Sequence, residues 1–227
     1  MNNHRIVEVE QVNKEYLTGD EVLPILRAVD LSVERGETVS IAGASGCGKS
    51  TLLNMISGMD HPTGGRVWVD GVEVSSLNEN RAGNFRSRVL GMVFQSHHLL
   101  RDFTILENTA LPALIAGSRK EAAWKKAGEL LEKVGIKQRE HHYPNAVSGG
   151  ERQRAAVARA LVNGPELILA DEPTGNLDEM HSAEIQQLLF DVVRDTGAAL
   201  VLVTHDRFFA RRADRCYVLQ HGLLEAG

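Results

Sequence analysis

Hydrophobic and polar residues follow two different periods along this chain, and their order predicts a mixed fold. Residues 6–11 alternate between apolar and charged positions, which is typical of a half-buried strand. An apolar run at residues 67–69 meets Asp70-Gly71, a pair that favours a hairpin turn. Further short apolar runs that predict strands lie at residues 31–33, 38–42, 89–95, 166–170, 198–204 and 217–219.

Helical periods separate these strands. Residues 49–58, 119–134, 151–162 and 180–194 place apolar side chains on one helix face. The helical texture dominates from about residue 99 to residue 145, and strands and helices then alternate toward the end. This order predicts an α/β fold with a mainly parallel sheet and one inserted helical lobe.

Composition and charge exclude several classes of protein. The chain has 227 residues, 43% of them hydrophobic and 24% charged, so it can bury a core. Its net charge of -5, without a basic stripe, argues against nucleic acid as the main partner. Two distant cysteines favour reduced thiols over a disulfide framework. No apolar run approaches the roughly 18 residues that a membrane span needs, so any membrane role would act through another chain.

A glycine-rich segment carries the clearest chemistry. The residues after the strand at 38–42 match G-x-x-x-x-G-K-[ST] in full, and they read Gly43-Ala44-Ser45-Gly46-Cys47-Gly48-Lys49-Ser50. The glycines let successive N–H groups point at phosphate, and the helix N-terminus adds partial positive charge. Lys49 is placed to bridge the outer phosphates, the Ser50 hydroxyl to hold Mg²⁺, and Thr51 to reach an inner phosphate. Cys47 stands where the backbone matters more than the side chain.

Two carboxylates, Asp171 and Glu172, follow the apolar strand at residues 166–170. The carboxyl ends of parallel strands face the ligand crevice, so Asp171 can hold Mg²⁺ and Glu172 can accept a proton from an attacking water. An acidic cap of the next helix is the alternative explanation, and the phosphate loop upstream makes it less favoured.

A second glycine pair opens the helix that begins near residue 149. Ser148 and Glu151 have the spacing of a capping box, which alone would explain the segment. Gly149 and Gly150 would also form a second anion-binding nest. One nucleotide rarely needs two nests on one chain, whereas two copies facing head to tail would use both.

The segment Val147-Ser148-Gly149-Gly150-Glu151-Arg152-Gln153 closely resembles the signature motif of the ABC transporter ATP-binding subunits. The other motifs of that family follow in order over essentially the whole chain. By resemblance, Gln95 is the glutamine that senses Mg²⁺ and the attacking water, His205 is the switch histidine at the γ-phosphate, and Tyr16 stacks on adenine. Asp178 ends the stretch DEPTGNLD and would report the nucleotide state across the dimer interface. The signature departs from the commonest form at Val147 and Glu151 but keeps Ser-Gly-Gly.

The resemblance implies one P-loop ATPase domain over residues 1–227. It would comprise an N-terminal antiparallel β subdomain, a RecA-like core, and a helical subdomain at about residues 96–160. It further implies Mg²⁺-dependent ATP hydrolysis, with ATP sandwiched in a homodimer between the phosphate loop of one copy and residues 148–151 of the other. Separate membrane permease subunits would be the partners, met at about residues 96–114. The chain would then lie peripherally on the cytoplasmic face of a bacterial inner membrane.

The stretch DEPTGNLD is typical of a branch that serves lipoprotein release, macrolide export and cell division. Residues 94–104 and 142–154 resemble the lipoprotein-releasing ATPases in particular. Macrolide or peptide efflux and a division-type signalling ATPase stay open as alternatives. A soluble ABC ATPase of repair or translation is a further one, disfavoured by the single cassette and the absence of sustained heptads.

Overall fold

The computed structural model describes residues 4–19 and 21–227. The chain separates into two compact units, which we call unit 1 (the described residues of Met1–Arg86 and Gly197–Gly227) and unit 2 (Ser87–Thr196). The strands are β1 (Arg5–Thr18), β2 (Glu21–Glu34), β3 (Thr38–Ala42), β4 (Gly64–Val69), β5 (Val72–Glu73), β6 (Leu90–Phe94), β7 (Leu167–Asp171), β8 (Ala199–Thr204), β9 (Arg215–Gln220) and β10 (Leu223–Ala226). The helices are α1 (Lys49–Ile56), α2 (Glu79–Val89), α3 (Ile105–Ile115), α4 (Lys120–Lys133), α5 (Gly149–Leu161), α6 (Glu179–Thr196) and α7 (Arg207–Ala210).

Unit 1 contains an antiparallel sheet in the order β2-β1-β4-β5. Its hairpin between β4 and β5 confirms the turn expected at Asp70-Gly71. Val69 pairs with Val72, and the two turn residues have φ angles of 51° and 73°. Positive φ at both central positions defines a type I′ turn, whose twist matches that of the flanking strands.

Unit 1 also contains four strands in the order β10-β9-β3-β8. β3 lies parallel to both β8 and β9, and β10 returns antiparallel to β9. Every residue of β3 and β8 is buried, as expected for parallel strands covered on both faces. Because β3 and β8 run the same way, the segments that follow Ala42 and Thr204 leave the sheet at the same edge.

Unit 2 contains the parallel pair β6–β7 and the helices α3 to α6. α3 packs against α4 and α5, and α5 also packs against β6 and α6. A complete capping box at Thr104 and Glu107 fixes the start of α3. None of the helices in the described residues is both long and apolar enough to cross a membrane.

Several elements differ from expectation. The strand expected at residues 31–33 is only the buried end of the much longer β2. The expectation that residues 217–219 form the last strand was wrong, because β10 follows at the edge with mostly exposed side chains. α2 was not expected at all, since Ala82 is its one fully buried residue and leaves no apolar stripe to read.

Candidate nucleotide site

The phosphate loop of unit 1 leaves the carboxyl end of β3 and turns directly into α1. Gly46 and Gly48 take φ angles of 78° and 108°, which side-chain-bearing residues rarely adopt. These angles curl the backbone so that the loop ends on the first turn of α1, as the motif requires.

Close contacts also demand glycine in this loop. A Cβ on Gly43 would lie 2.6 Å from the carbonyl oxygen of Leu219 and 2.7 Å from the Cys47 sulfur. A Cβ on Gly48 would lie 2.9 Å from the Ile25 side chain. The loop is therefore packed tightly between β9 and β2, so its shape does not depend on a bound ligand alone.

Lys49 is folded back over its own loop. Its ammonium donates to the carbonyl oxygens of Gly43 and Ala44, both at 3.0 Å, and the residue is only 5% exposed. Gly48 is the N-cap of α1 and, as a glycine, supplies no side-chain cap to this helix. Side chains do cap α3, α5 and α7. In loops of this kind, the backbone N–H groups at the helix start bind phosphate.

His205 stands beside the phosphate loop in unit 1. Ala42 pairs with Thr204, so Gly43 and His205 are the next residues of two neighbouring parallel strands. Both line a cavity of about 1100 Å³. Arg27, Arg207 and Arg211 also line it. This excess of positive charge suits a phosphate-bearing ligand.

Tyr16 lies on β1 of unit 1 and is 41% exposed. Its hydroxyl donates to Asp60 at 2.9 Å and also hydrogen-bonds to Thr51 in the first turn of α1. Burial and then the Asp60 carboxylate raise the pKa of Tyr16. The expected base-stacking residue is thus tied to the helix that the phosphate loop begins.

Unit 2 carries the glutamine and the carboxylates. Phe94 pairs with Asp171, so Gln95 and Glu172 leave two adjacent parallel strands side by side. The Gln95 Nε2 donates to the side-chain oxygen of Asn176 at 3.2 Å, and the side-chain nitrogen of Asn176 donates to the backbone carbonyl oxygen of Gln95 at 3.0 Å. These residues therefore form one group at the carboxyl edge of β6 and β7.

Glu172 has an unusual backbone. Its φ is 44°, in the left-handed region that non-glycine residues seldom adopt. Strain of this kind costs of order 1–3 kcal/mol and is found most often at functional sites. The backbone thus marks Glu172, the expected general base, independently of its sequence motif.

The signature segment of unit 2 has the expected capping box. The Glu151 N–H donates to the Ser148 hydroxyl at 3.2 Å, and the Ser148 N–H donates to the Glu151 carboxylate at 2.8 Å. The Ser148 backbone and then Arg139 lower the pKa of Glu151. The box uses the N–H groups of Ser148 and Glu151, not those of Gly149 and Gly150. Capping and anion binding are therefore compatible at this helix start.

Asp178 is held next to this segment through His181, in the first turn of α6. The His181 Nδ1 lies 2.7 and 2.8 Å from the two Asp178 carboxylate oxygens. The backbone N–H and then the ring of His181 lower the pKa of Asp178. A Cβ on Gly150 would lie 3.1 Å from the same ring. His181 therefore bridges two motifs of unit 2.

The loop after Gln95 is strained and clamped. His97 and His98 have φ angles of 57° and 49°. Arg159 on α5 donates to both of their carbonyl oxygens at 2.6 Å. Burial and then the charge of Arg152 lower the pKa of His97. In the described residues no cluster of three or more potential metal-binding side chains occurs, at these histidines or elsewhere.

The structure thus places the expected residues in two groups. Unit 1 holds Tyr16, the phosphate loop and His205, whereas unit 2 holds Gln95, residues 148–151, Asp171, Glu172 and Asp178. Their catalytic, nucleotide-binding and metal-binding roles stay predictions. Sequence reasoning missed supporting residues that carry no motif, namely Lys14, Asp60, His181 and Arg159, and gave no role to Asn176 within DEPTGNLD. A Lys-x-Tyr pattern, which puts both side chains on one strand face, was the one available signal.

Comparison with known proteins identifies the family to which the chain is similar. The ABC transporter family matches residues 26–175. A lipoprotein-releasing system ATP-binding protein LolD from Alcanivorax borkumensis is 49% identical over 225 residues, 99% of each chain. A protein of the same name from Treponema pallidum is 52% identical over 98% of each chain. The dimeric post-hydrolysis structure of the ATP-binding cassette MJ0796, bound to ADP and Pi, has a TM-score of 0.89 at 38% identity and covers 97% of this chain and 98% of its own.

The chain therefore belongs to the ABC transporter family, as a nucleotide-binding ATPase with the fold of an ATP-binding cassette. The α/β fold predicted from the sequence, with its antiparallel β part and its helices, is confirmed.

Proposed function

We propose that this chain is the ATP-hydrolysing subunit of a lipoprotein-releasing system, acting as a homodimer on the cytoplasmic face of a bacterial inner membrane. The observation that carries this proposal is near-full-length identity of 49% and 52% to proteins named for that system. The same names favour this branch over macrolide export and cell division.

The chain's own residues suit each part of the hydrolysis. Lys49 and the N–H groups at the start of α1 would hold the phosphates and offset charge on the transferring phosphoryl group. Glu172 would accept the proton of the attacking water, and His205 would contact the γ-phosphate. Gln95, Asp171 and Ser50 offer amide, carboxylate and hydroxyl oxygens, the donors that Mg²⁺ prefers. Bound there, Mg²⁺ would neutralise negative charge on the phosphates.

Two copies would sandwich the nucleotide. The dimeric cassette described above supports this arrangement. The nest at Ser148, Gly149 and Gly150 of one copy would then meet the γ-phosphate held by the other. Because the γ-phosphate would complete the interface, its loss after hydrolysis would reopen the dimer.

The membrane partners would meet unit 2. Leu100 and Phe103 are 45% and 40% exposed on the segment expected to contact them, and Ile115, the residue after that segment, is 70% exposed. Exposed apolar side chains of this size favour a protein contact.

Purification of the tagged chain from detergent-solubilised membranes, followed by mass spectrometry, tests the proposal. Two homologous membrane proteins with large periplasmic domains should accompany the chain, and Phe103→Asp should lose them. Leu223→Asp, at an exposed residue of β10, is the matched control that keeps them. Recovery of ribosomes or repair factors instead would overturn the transport part and leave the ATPase in place.

A further inference from the structure

Lys14 and Asp60 hold the Tyr16 side chain in place within unit 1. Lys14 and Tyr16 are two residues apart on β1, so their side chains project from the same face of the strand. The Lys14 ammonium lies 4.8 Å from the centre of the Tyr16 ring. This is a cation–π contact, and it covers one face of the ring.

Asp60 holds both side chains at once. Its carboxylate accepts from the Lys14 ammonium at 2.6 Å and from the Tyr16 hydroxyl at 2.9 Å. The Lys14 ammonium also donates to the His61 carbonyl oxygen at 2.7 Å, and the His61 N–H donates to Asp60 at 2.7 Å. Burial alone would raise the pKa of Asp60, but the bonds from Lys14, Tyr16 and His61 lower it overall. Asp60 therefore stays ionised at neutral pH.

Lys14 and Asp60 are more buried than the Tyr16 ring that they hold. The Lys14 side chain is 11% exposed and that of Asp60 is 28% exposed, whereas Tyr16 is 41% exposed. A buried lysine needs a compensating partner, which makes an incidental surface contact a poor explanation. The ammonium thus lies beneath the ring, and the uncovered face of the ring points outward.

We propose that Lys14 and Asp60 are positioning residues for the nucleotide base: they fix the Tyr16 ring so that its outer face alone can stack on adenine. This role of Lys14 and Asp60 rests on the proposed function in one respect, namely that Tyr16 stacks on the base.

The test compares two ligands of the full-length protein, ATP and inorganic tripolyphosphate. Both can occupy the phosphate loop, but only ATP carries a base. Tyr16→Ala should weaken ATP binding by about 5- to 100-fold, from the usual worth of one stacked base. Lys14→Gln should weaken it by about three- to tenfold and raise KM without lowering kcat. Neither variant should change tripolyphosphate binding.

Two further variants separate positioning from folding. Lys14→Arg keeps a cation over the ring and should restore most of the ATP affinity. Lys133→Gln removes the lysine of another Lys–Asp pair, at 3.0 Å from Asp195 in unit 2, and should leave both ligands unaffected.

The outcomes separate the positioning role of Lys14 from the base-stacking role of Tyr16. If Tyr16→Ala weakens ATP and Lys14→Gln stays within twofold of the wild type, the support is wrong and the base platform stands. If Tyr16→Ala also leaves ATP binding unchanged, the platform itself is wrong. Equal losses of ATP and tripolyphosphate in Lys14→Gln would show a general defect and overturn the positioning role.

Discussion

Asn108 fastens the segment that we expect to meet the membrane partners. It is 1% exposed in α3, and its side-chain oxygen accepts the Leu100 N–H at 2.7 Å. Its amide nitrogen lies 3.0, 2.9 and 3.0 Å from the carbonyl oxygens of Leu100, Phe103 and Thr104. One buried side chain thus hydrogen-bonds to four backbone groups of this turn.

Asn108→Ala would leave two of these backbone groups without their partner, namely the Leu100 N–H and the Phe103 carbonyl, because the Leu100 carbonyl keeps the Phe103 N–H at 3.3 Å. The Thr104 carbonyl keeps the Asn108 backbone N–H. Each buried group left unsatisfied costs about 1–3 kcal/mol. Leu100 and Phe103 are partly exposed, so the lower end applies to the two groups, and we expect a loss of about 2 kcal/mol.

Asn108→Asp should cost at least as much at neutral pH, because a carboxylate would face three carbonyl oxygens. Those oxygens and burial would raise the pKa of the new carboxyl in the folded state. The penalty should therefore shrink as the pH falls and the acid, once protonated, can donate again.

Urea unfolding of the wild type and both variants measures these free energies. Asn145→Ala, at an exposed asparagine of the same unit, is the control and should change stability by less than about 0.5 kcal/mol. An equally small change in Asn108→Ala would refute the account of this segment.

Three further changes have defined outcomes. Arg159→Gln removes the hydrogen bonds that hold the carbonyl groups of His97 and His98, whose backbone is in the left-handed region. We therefore expect the free energy of unfolding to fall by about 2 kcal/mol and limited proteolysis of that loop to become faster. Wild-type cleavage rates would contradict the clamp. Gly43→Ala should reduce both stability and ATP affinity, since its Cβ would lie 2.6 Å from a β9 carbonyl oxygen; unchanged ATP binding would show that the loop can relax. The Thr104 backbone and side chain lower the pKa of Glu107. The ionised Glu107 carboxylate therefore stabilises the folded protein fully above the ordinary pKa of 4.5, and this stabilisation is lost as the pH falls through the lowered pKa. Glu107→Gln should thus lower the melting temperature at pH 7 and match the wild type in acid, and a constant difference across pH would exclude a charge effect.

Local signals predicted much of the fold because chemistry and position coincide there. Asp70-Gly71 fixes a type I′ turn by itself, and the period of α4 comes from residues such as Ala123, Ala127 and Leu131 that share one buried face. β2 was foreseen only at its buried end, because its first four residues are exposed and include Pro24, which pairs with Glu15 next to a bulge. Nothing local marks such a strand.

The candidate site likewise contains residues that the sequence predicts and residues that it does not. The phosphate loop and the acidic pair are contiguous in sequence, so their motifs could be read directly. The support of Tyr16 could not, because Asp60 is 44 positions away and reaches the ring only through the fold. Likewise, the left-handed backbone of Glu172 arises from its surroundings and has no signature in sequence.

The central claim is that ATP joins two copies of this chain and that Glu172 drives its hydrolysis. Size-exclusion chromatography with light scattering of Glu172→Gln tests it most directly. With ATP and Mg²⁺ the variant should run at twice the 24.9 kDa chain mass and hydrolyse ATP at least about a hundredfold more slowly than the wild type. Lys49→Ala, which should not bind ATP productively, should stay at 24.9 kDa. A Glu172→Gln protein that remains a monomer in saturating ATP and hydrolyses it at the wild-type rate would contradict the account.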